Sequence, residues 1–426
     1  MREYGRYCVM HDFRALFFIS LAAVLAPFLN RWPILARTPI VAIELLLGVM
    51  IGPSFGNLLS SDETITFLKE LGLVFLFFQA GFEIKHYQIG ATELRLGALA
   101  WFISFICALA FSILLWASGL ISAPFLVGII LPTTAFGILI PVLKQSGDLE
   151  NALGRFVLGS AAVGELAPLI LASIALAHEK HHFHQALLSL MFLGIAAGSI
   201  YLLVKYRSET HIARMATWLG AGGVLPFRVA MFILLGFVSL ADSFGMETVV
   251  GAYAAGMAIA MLAGAAKDET LEDRLASIGS GFFVPLFFVV SGVTFNLPLL
   301  VSTPSSIFQF FLFCLIFIFI RLVPLCLYQR HLPQRDVLAQ GLLSSTTLPL
   351  VVAITYLGAQ SGQMRQETAT ALVGAAIMTV TAFPTLAFWL RSQKTDSPAS
   401  LFILKHTKNI LDFFDPALSK LMRLID

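Results

Sequence analysis

The chain has 426 residues, 58% of them hydrophobic and 12% charged, with a formal net charge of +2. That balance excludes an ordinary soluble domain, and with no basic patch nothing points to nucleic acid. Its four cysteines, Cys8, Cys107, Cys314 and Cys326, form neither a disulfide framework nor a metal-ligand spacing.

Apolar stretches of about 17–25 residues, enough to cross a bilayer, begin near Phe13, Pro39, Ile65, Leu96, Ile121, Ala152, Gln185, Pro226, Thr248, Leu275, Ile307, Val337 and Thr368. The expectation is an all-α polytopic membrane protein with about 13 transmembrane helices. Lys and Arg gather in the odd-numbered connections, as at Arg31 and Arg37, Lys85 and Arg95, Lys144 and Arg155, and Arg330 and Arg335; the even ones hold few, Lys69, Lys180 and Arg365 among them. By the positive-inside rule the odd connections and the C-terminus are cytoplasmic, which puts the N-terminus outside. Arg2, Arg6 and Arg14 weigh against that end, and a first segment that did not cross would move it inside and leave the rest unchanged. The first apolar run lacks a clean cleavage site and is expected to stay as an anchor.

The fifth span is interrupted by Leu131-Pro132-Thr133-Thr134-Ala135-Phe136-Gly137, and the twelfth by Ser344-Ser345-Thr346-Thr347-Leu348-Pro349. Proline removes a backbone donor and frees carbonyls that lipid cannot satisfy, so each break belongs where protein or a wet cavity covers it. Seven spans separate them, so they cross the membrane in opposite directions, as an inverted-topology repeat with crossed, broken helices would require. Two unrelated proline kinks whose Ser and Thr hydroxyls bond back to carbonyls would read the same way.

Glu165 lies inside the sixth span and Arg321 inside the eleventh, both in apolar surroundings. An ionisable group at that depth is a functional candidate by default. One acid and one base in different spans suggest an intramembrane ion pair, in which Arg321 either tunes Glu165 or only holds two helices together.

Other polar groups have plainer readings. Glu44 and Glu83 fit the interface or a bond to a neighbouring helix, and Asp242 and Glu247 a solvated outer loop. The run from His178 to His184 invites a metal or pH-sensing role, yet reads as solvated loop. From about Arg391 the membrane domain, residues 1–391, gives way to a short tail, 392–426. There Leu404, Ile410, Phe414 and Leu418 alternate with Lys405, Lys408 and Lys420, as in an amphipathic helix on the cytoplasmic membrane face or a frayed terminus.

Four segments together resemble a known family. Pro39 to Ser54, with Glu44 at a commonly acidic place, Glu70 to Glu83, Gly251-Ala-Tyr-Ala-Ala-Gly256 and Pro285-Leu-Phe-Phe-Val-Val-Ser-Gly292 are similar to motifs of the monovalent cation:proton antiporter-2 family of bacterial Na⁺/H⁺ and K⁺/H⁺ antiporters. The resemblance covers nearly the whole membrane domain. It implies a secondary active transporter, not an enzyme, which exchanges protons for Na⁺ or K⁺ by alternating access in the cell (inner) membrane, as a homodimer and without a cofactor.

Carried over by the resemblance, Glu165 is the carboxylate for which proton and cation compete, with Thr133 and Thr134 beside it. Pro132, Ser345, Thr346 and Thr347 line the crossed, partly unwound helices, and Arg321 pairs with an acid in the sixth span. Gly164 departs from the pattern, because relatives place a second polar residue there. One carboxylate makes exchange of one cation for one proton the simpler stoichiometry. The twelfth span lacks the extra acid or amide of some relatives, and no nucleotide-binding domain is expected in this chain. A sodium-coupled organic solute carrier, or a passive cation channel, stays open as an alternative built on the same broken helices.

Overall fold

The computed structural model of the protein describes residues 4–32, 35, 38–59, 63–83, 89–176, 224–244, 248–266 and 269–392. All regular structure among them is helical. In chain order the helices are α1 (Tyr4–Asn30), α2 (Ile40–Ile51), α3 (Glu63–Glu83), α4 (Ala91–Ala117), α5 (Pro124–Ile130), α6 (Phe136–Ser146), α7 (Ala152–Leu176), α8 (Leu225–Ser243), α9 (Thr248–Ala266), α10 (Glu269–Ile278), α11 (Val284–Val293), α12 (Leu297–Ser302), α13 (Pro304–Leu322), α14 (Gln334–Ser344), α15 (Pro349–Gln360) and α16 (Gln366–Ser392). A π turn, Gly279–Phe283, joins α10 to α11, and a 3₁₀ turn, Val323–Tyr328, extends α13.

Among the described residues, 9 helical stretches are long and apolar enough to cross a membrane, and Ile40–Ile51 and Thr248–Ala260 are shorter apolar helices. The protein is thus a multi-pass helical membrane protein. The seventh expected span, from Gln185, lies outside the described residues, as do the His178–His184 run, Glu247 and the tail beyond Ser392.

The chain divides into two compact units, each built from separated segments. The first takes Met1–Trp32, Ile43–Gln88 and Ser173–Phe295. Its core includes Ile19, Ile65, Val289, Val290 and Val293. Here α2 meets α11 backbone to backbone, because a Cβ on Gly292 would lie 2.0 Å from the Leu45 carbonyl oxygen and one on Gly48 2.1 Å from that of Val289. Only glycine allows so close an approach. Glu44 is buried on α2, with Oε2 lacking a hydrogen-bond partner, and buried Lys69 donates to Thr294 Oγ1 at 3.3 Å. Helix α8 is 17% buried and exposes Phe232 and Leu235, an apolar surface of the kind lipid covers.

The second unit takes Pro33–Ala42, Ile89–Ala172 and Asn296–Asp426. The stretch Gln334–Gln360, made of α14, a break and α15, is 94% buried. A helix interrupted inside hydrocarbon needs that cover, since lipid offers its freed backbone groups no partner.

At one end of this unit, Gly147 closes α6 with a left-handed φ of 75°, which glycine adopts without strain. The next residue, Asp148, accepts from Arg391 Nη1 at 2.6 Å and Asn151 Nδ2 at 2.6 Å, while Arg391 Nε donates to Asp336 Oδ1 at 2.7 Å. An open cavity of about 620 Å³ borders the group. Burial alone would raise the Asp148 carboxyl, but the hydrogen bonds from Arg391, Ser146 and Asn151 and the Arg391 charge outweigh it and hold it below the ordinary carboxylate value. Its contribution to stability is therefore complete above about pH 4 and is lost as pH falls through the lowered folded-state value. Asp148→Asn is expected to lower the melting temperature at pH 7, with the gap to wild type narrowing as pH falls below about 4. A gap of constant size across that range would refute the assignment.

Candidate functional site

Residues 131–135 separate α5 from α6, and residues 345–348 separate α14 from α15. Proline and a hydroxyl shape two of the ends at the breaks: Pro349 opens α15 where a missing N–H costs nothing, and at the end of α5 Thr133 Oγ1 donates back to the Ile130 carbonyl at 2.7 Å. The two breaks bond to each other. The Ala135 amide donates to the Thr346 carbonyl at 2.9 Å, Thr134 Oγ1 donates to the Ser344 carbonyl at 2.7 Å, and the Thr133 and Thr347 hydroxyls lie 2.6 Å apart. Thr133 spends its hydrogen on Ile130, so Thr347 is the donor of that last bond. Thr133, Thr134 and Ala135 thus meet Thr347, Ser344 and Thr346 in turn, so the two breaks lie in direct contact. This is the crossing of broken helices expected from the sequence.

The two helix ends at the first break each meet a group of opposite sign. Glu165 on α7 is 4% exposed, and its Oε2 accepts from the Phe136 amide at 3.0 Å. Phe136 opens α6, where unpaired N–H groups and the helix dipole present a partial positive charge. Arg321 on α13 is 3% exposed, and its Nη2 donates to the Pro132 carbonyl, to the Thr133 carbonyl at 3.3 Å and to Thr134 Oγ1 at 2.7 Å. Those carbonyls follow the C-terminal end of α5, the partial negative end.

The ion pair expected between Arg321 and the acid of the sixth span is not formed among the described residues. The break supplies the reason. Freed carbonyls already give the guanidinium its acceptors, and the opposite helix end already gives the carboxylate a donor.

Gly164 explains its own departure from the family pattern. Its carbonyl accepts from the Thr134 amide at 3.0 Å, and a Cβ on it would lie 2.7 Å from Thr134 Oγ1. A side chain at 164 would push Thr134 out of the place where it joins Arg321 to Ser344. The hydroxyl of Thr134 thus stands where a polar side chain at 164 would reach.

All the sequence-derived candidates, Pro132, Thr133, Thr134, Glu165, Arg321, Ser345, Thr346 and Thr347, are buried in this unit, around the one crossing. Together they offer a carboxylate, hydroxyls and carbonyls, hard oxygen donors of the type alkali and alkaline-earth cations prefer. No group of 3 or more His, Cys, Asp or Glu side chains able to hold a metal occurs among the described residues. Glu44 falls in the other unit, Asp242 is exposed, and the Glu83 side chain lies outside the described residues.

The sequence reading missed Thr379. From α16 its hydroxyl accepts from the Thr347 amide at 3.1 Å and shares its hydrogen between the Ala376 carbonyl at 2.8 Å and the Thr347 carbonyl at 2.9 Å. It also missed Ser160, Tyr328 and Gln340, a buried polar group beside the crossing. A lone Gln four residues before Ser344, on the same helix face, was the available signal.

Comparison with known proteins agrees with this architecture. The family model of the sodium/hydrogen exchanger transmembrane region matches residues 17–391. The putative Na⁺/H⁺ antiporter YjbQ of Bacillus subtilis is 26% identical over 382 residues, which cover 85% of this chain and 61% of that protein. The Na⁺/H⁺-K⁺ antiporter GerN of Bacillus cereus is 24% identical, over 88% of this chain and 95% of GerN. The chain thus spans about three fifths of the length of YjbQ but nearly all of GerN. Among solved structures, the sodium proton antiporter MjNhaP1 of Methanocaldococcus jannaschii shares the fold, with a TM-score of 0.59 and 16% identity over 93% of this chain and 98% of that one. By the family model's span, and in line with the motifs read from the sequence, the chain belongs to the sodium/hydrogen exchanger transmembrane family, a family of transporters.

Proposed function

We propose that the protein is a secondary active antiporter that exchanges protons for Na⁺ or K⁺ by alternating access, with both ions competing for Glu165. One observation carries the reading: a buried carboxylate, set against the amide end of a broken helix, among hydroxyls and freed carbonyls. A protonated carboxyl offers an incoming cation no charge, and a bound cation repels the proton, so one site holds one or the other. If the empty, charged site crosses poorly, exchange follows. With glycine at 164, one carboxylate serves the site and one-for-one exchange is the simpler count. Arg321 fixes the crossing and balances the carbonyl end of α5 while Glu165 changes its load.

The relatives named above are antiporters, which favours this reading over a sodium-coupled solute carrier or a passive channel. The Lys and Arg distribution supports placement in the cytoplasmic membrane with the N-terminus outside and the C-terminus inside. Exposed apolar faces such as that of α8 suit lipid and a second copy of the chain, which supports a homodimer. The test is proton flux in proteoliposomes carrying a pH gradient, with Na⁺, K⁺ or Li⁺ added in turn. Cation-triggered collapse of the gradient is expected and names the ion. A gradient indifferent to all of them would reject antiport.

A further inference from the structure

The polar group beside the crossing has no place in the exchange reading. Ser160 on α7, Tyr328 in the 3₁₀ turn, and Gln340 and Ser344 on α14 are each 5% exposed or less. The Ser160 and Tyr328 hydroxyls lie 2.7 Å apart. Gln340 Nε2 reaches Ser160 Oγ at 2.9 Å, the Phe156 carbonyl at 3.2 Å and Ser344 Oγ at 3.2 Å, and the Ser344 carbonyl accepts from Thr134. Phe156, Ser160 and Gly164 recur every four residues and share one face of α7, as Gln340 and Ser344 share one face of α14. A polar strip therefore follows both helices from Tyr328 to the crossing. It ends at Gly164 and Thr134 at the crossing; Glu165, the next residue, leaves α7 on another face, about 7.5 Å along the axis and about 140° around it from Ser160.

The orientation of the Gln340 amide is fixed by chemistry. A carbonyl only accepts, so the end of the amide that faces Phe156 must be the NH₂, and turning it would set two oxygens 3.2 Å apart. Oε1 therefore points away from Phe156, and no protein donor reaches it. A buried acceptor left without a hydrogen is costly, and water is the usual supplier.

We propose that Gln340 is a positioning residue of the exchange site: its Oε1 anchors a short chain of water that carries the proton between Glu165 and the side of the membrane where α7 and α14 begin. In the orientation proposed above, that side is the cytoplasm. Each water takes a proton on its oxygen as it gives one up, so the chain is unchanged after one proton has passed and only O–H bonds form and break. The inference rests on the reading of Glu165 as the proton site.

Antiport by wild type, Gln340→Leu and Gln340→Glu in proteoliposomes tests it, with kcat and the cation KM measured across pH. Gln340→Leu is expected to lower kcat about tenfold while the cation KM stays within about twofold, because proton delivery suffers and cation binding does not. Gln340→Glu in its neutral form keeps a donor for Phe156 and a free acceptor, so it is expected to turn over at low pH and to lose activity as it ionises, a limb that wild type lacks. Wild-type kcat in Gln340→Leu overturns the proposal. So does a Gln340→Leu variant with kcat, KM and melting temperature all degraded together with a Gln340→Glu variant that low pH does not rescue, since that marks a purely structural role. Failure confined to these variants leaves the antiport reading standing. Absence of cation-coupled flux in wild type removes both.

Discussion

Glu165→Gln is expected to abolish cation-driven proton movement while the protein stays folded. The amide has nearly the same shape as the carboxyl and still offers an oxygen to the Phe136 amide, so the N-terminal end of α6 keeps its partner. What it loses is the ability to take up and release a proton, and with it the charge that draws a dehydrating cation. Cation affinity falls with the lost charge, since a neutral amide replaces the one formal negative charge among the site's oxygens. Coupling disappears entirely, because the variant has no proton to trade. Flux in proteoliposomes at saturating cation, read beside the melting temperature, separates the two effects. Coupled exchange that survives in a folded Glu165→Gln protein would remove Glu165 from the mechanism.

The second large effect belongs to Arg321, and it strikes structure first. Arg321→Met keeps an apolar stem of similar length but strips the donors from the Pro132 and Thr133 carbonyls and from Thr134 Oγ1, all deep in the protein. Loss of buried charge-assisted bonds predicts destabilisation of about 3 kcal/mol. Because Arg321 does not bond Glu165, the double variant Arg321→Met with Glu165→Gln should be no more stable than Arg321→Met alone. Thermal melting of the two singles and the double in detergent measures this. A double variant that regains most of the lost stability would show that the two groups balance each other as an ion pair after all.

Much of the fold and the site is legible in the sequence, for identifiable reasons. Spans such as Ala91–Ala117 and Pro304–Tyr328 announce themselves because lipid demands long apolar helices. The breaks at Pro132 and Pro349 show because a proline at mid-membrane depth frees backbone groups that only protein or water can satisfy. The partner of Arg321 is not legible: a sequence displays formal charges but not the partial charges on helix ends, and here the carbonyls around Pro132 outcompete a carboxylate. The parts played by Thr379 and Gln340 are hidden in a different way. A single hydroxyl or amide inside an apolar run is common, and only three-dimensional contact shows that Thr379 holds Thr347 and that Phe156 fixes the Gln340 amide. Gly164 is visible as an anomaly, while its cause, the approach of Thr134, is not.

The bonds that join the two breaks also have a mechanical meaning. Pulling the segments apart to let an ion slip between them would strip the Ala135 amide, the Ser344 carbonyl and the Thr134 and Thr347 hydroxyls of their acceptors or donors at once, in a place with little water to replace them. The crossing therefore behaves as one stiff part rather than as a pair of gates. In the proposed exchange cycle, whatever shifts would have to shift around it or carry it whole, so an ion would ride with its site instead of passing through it.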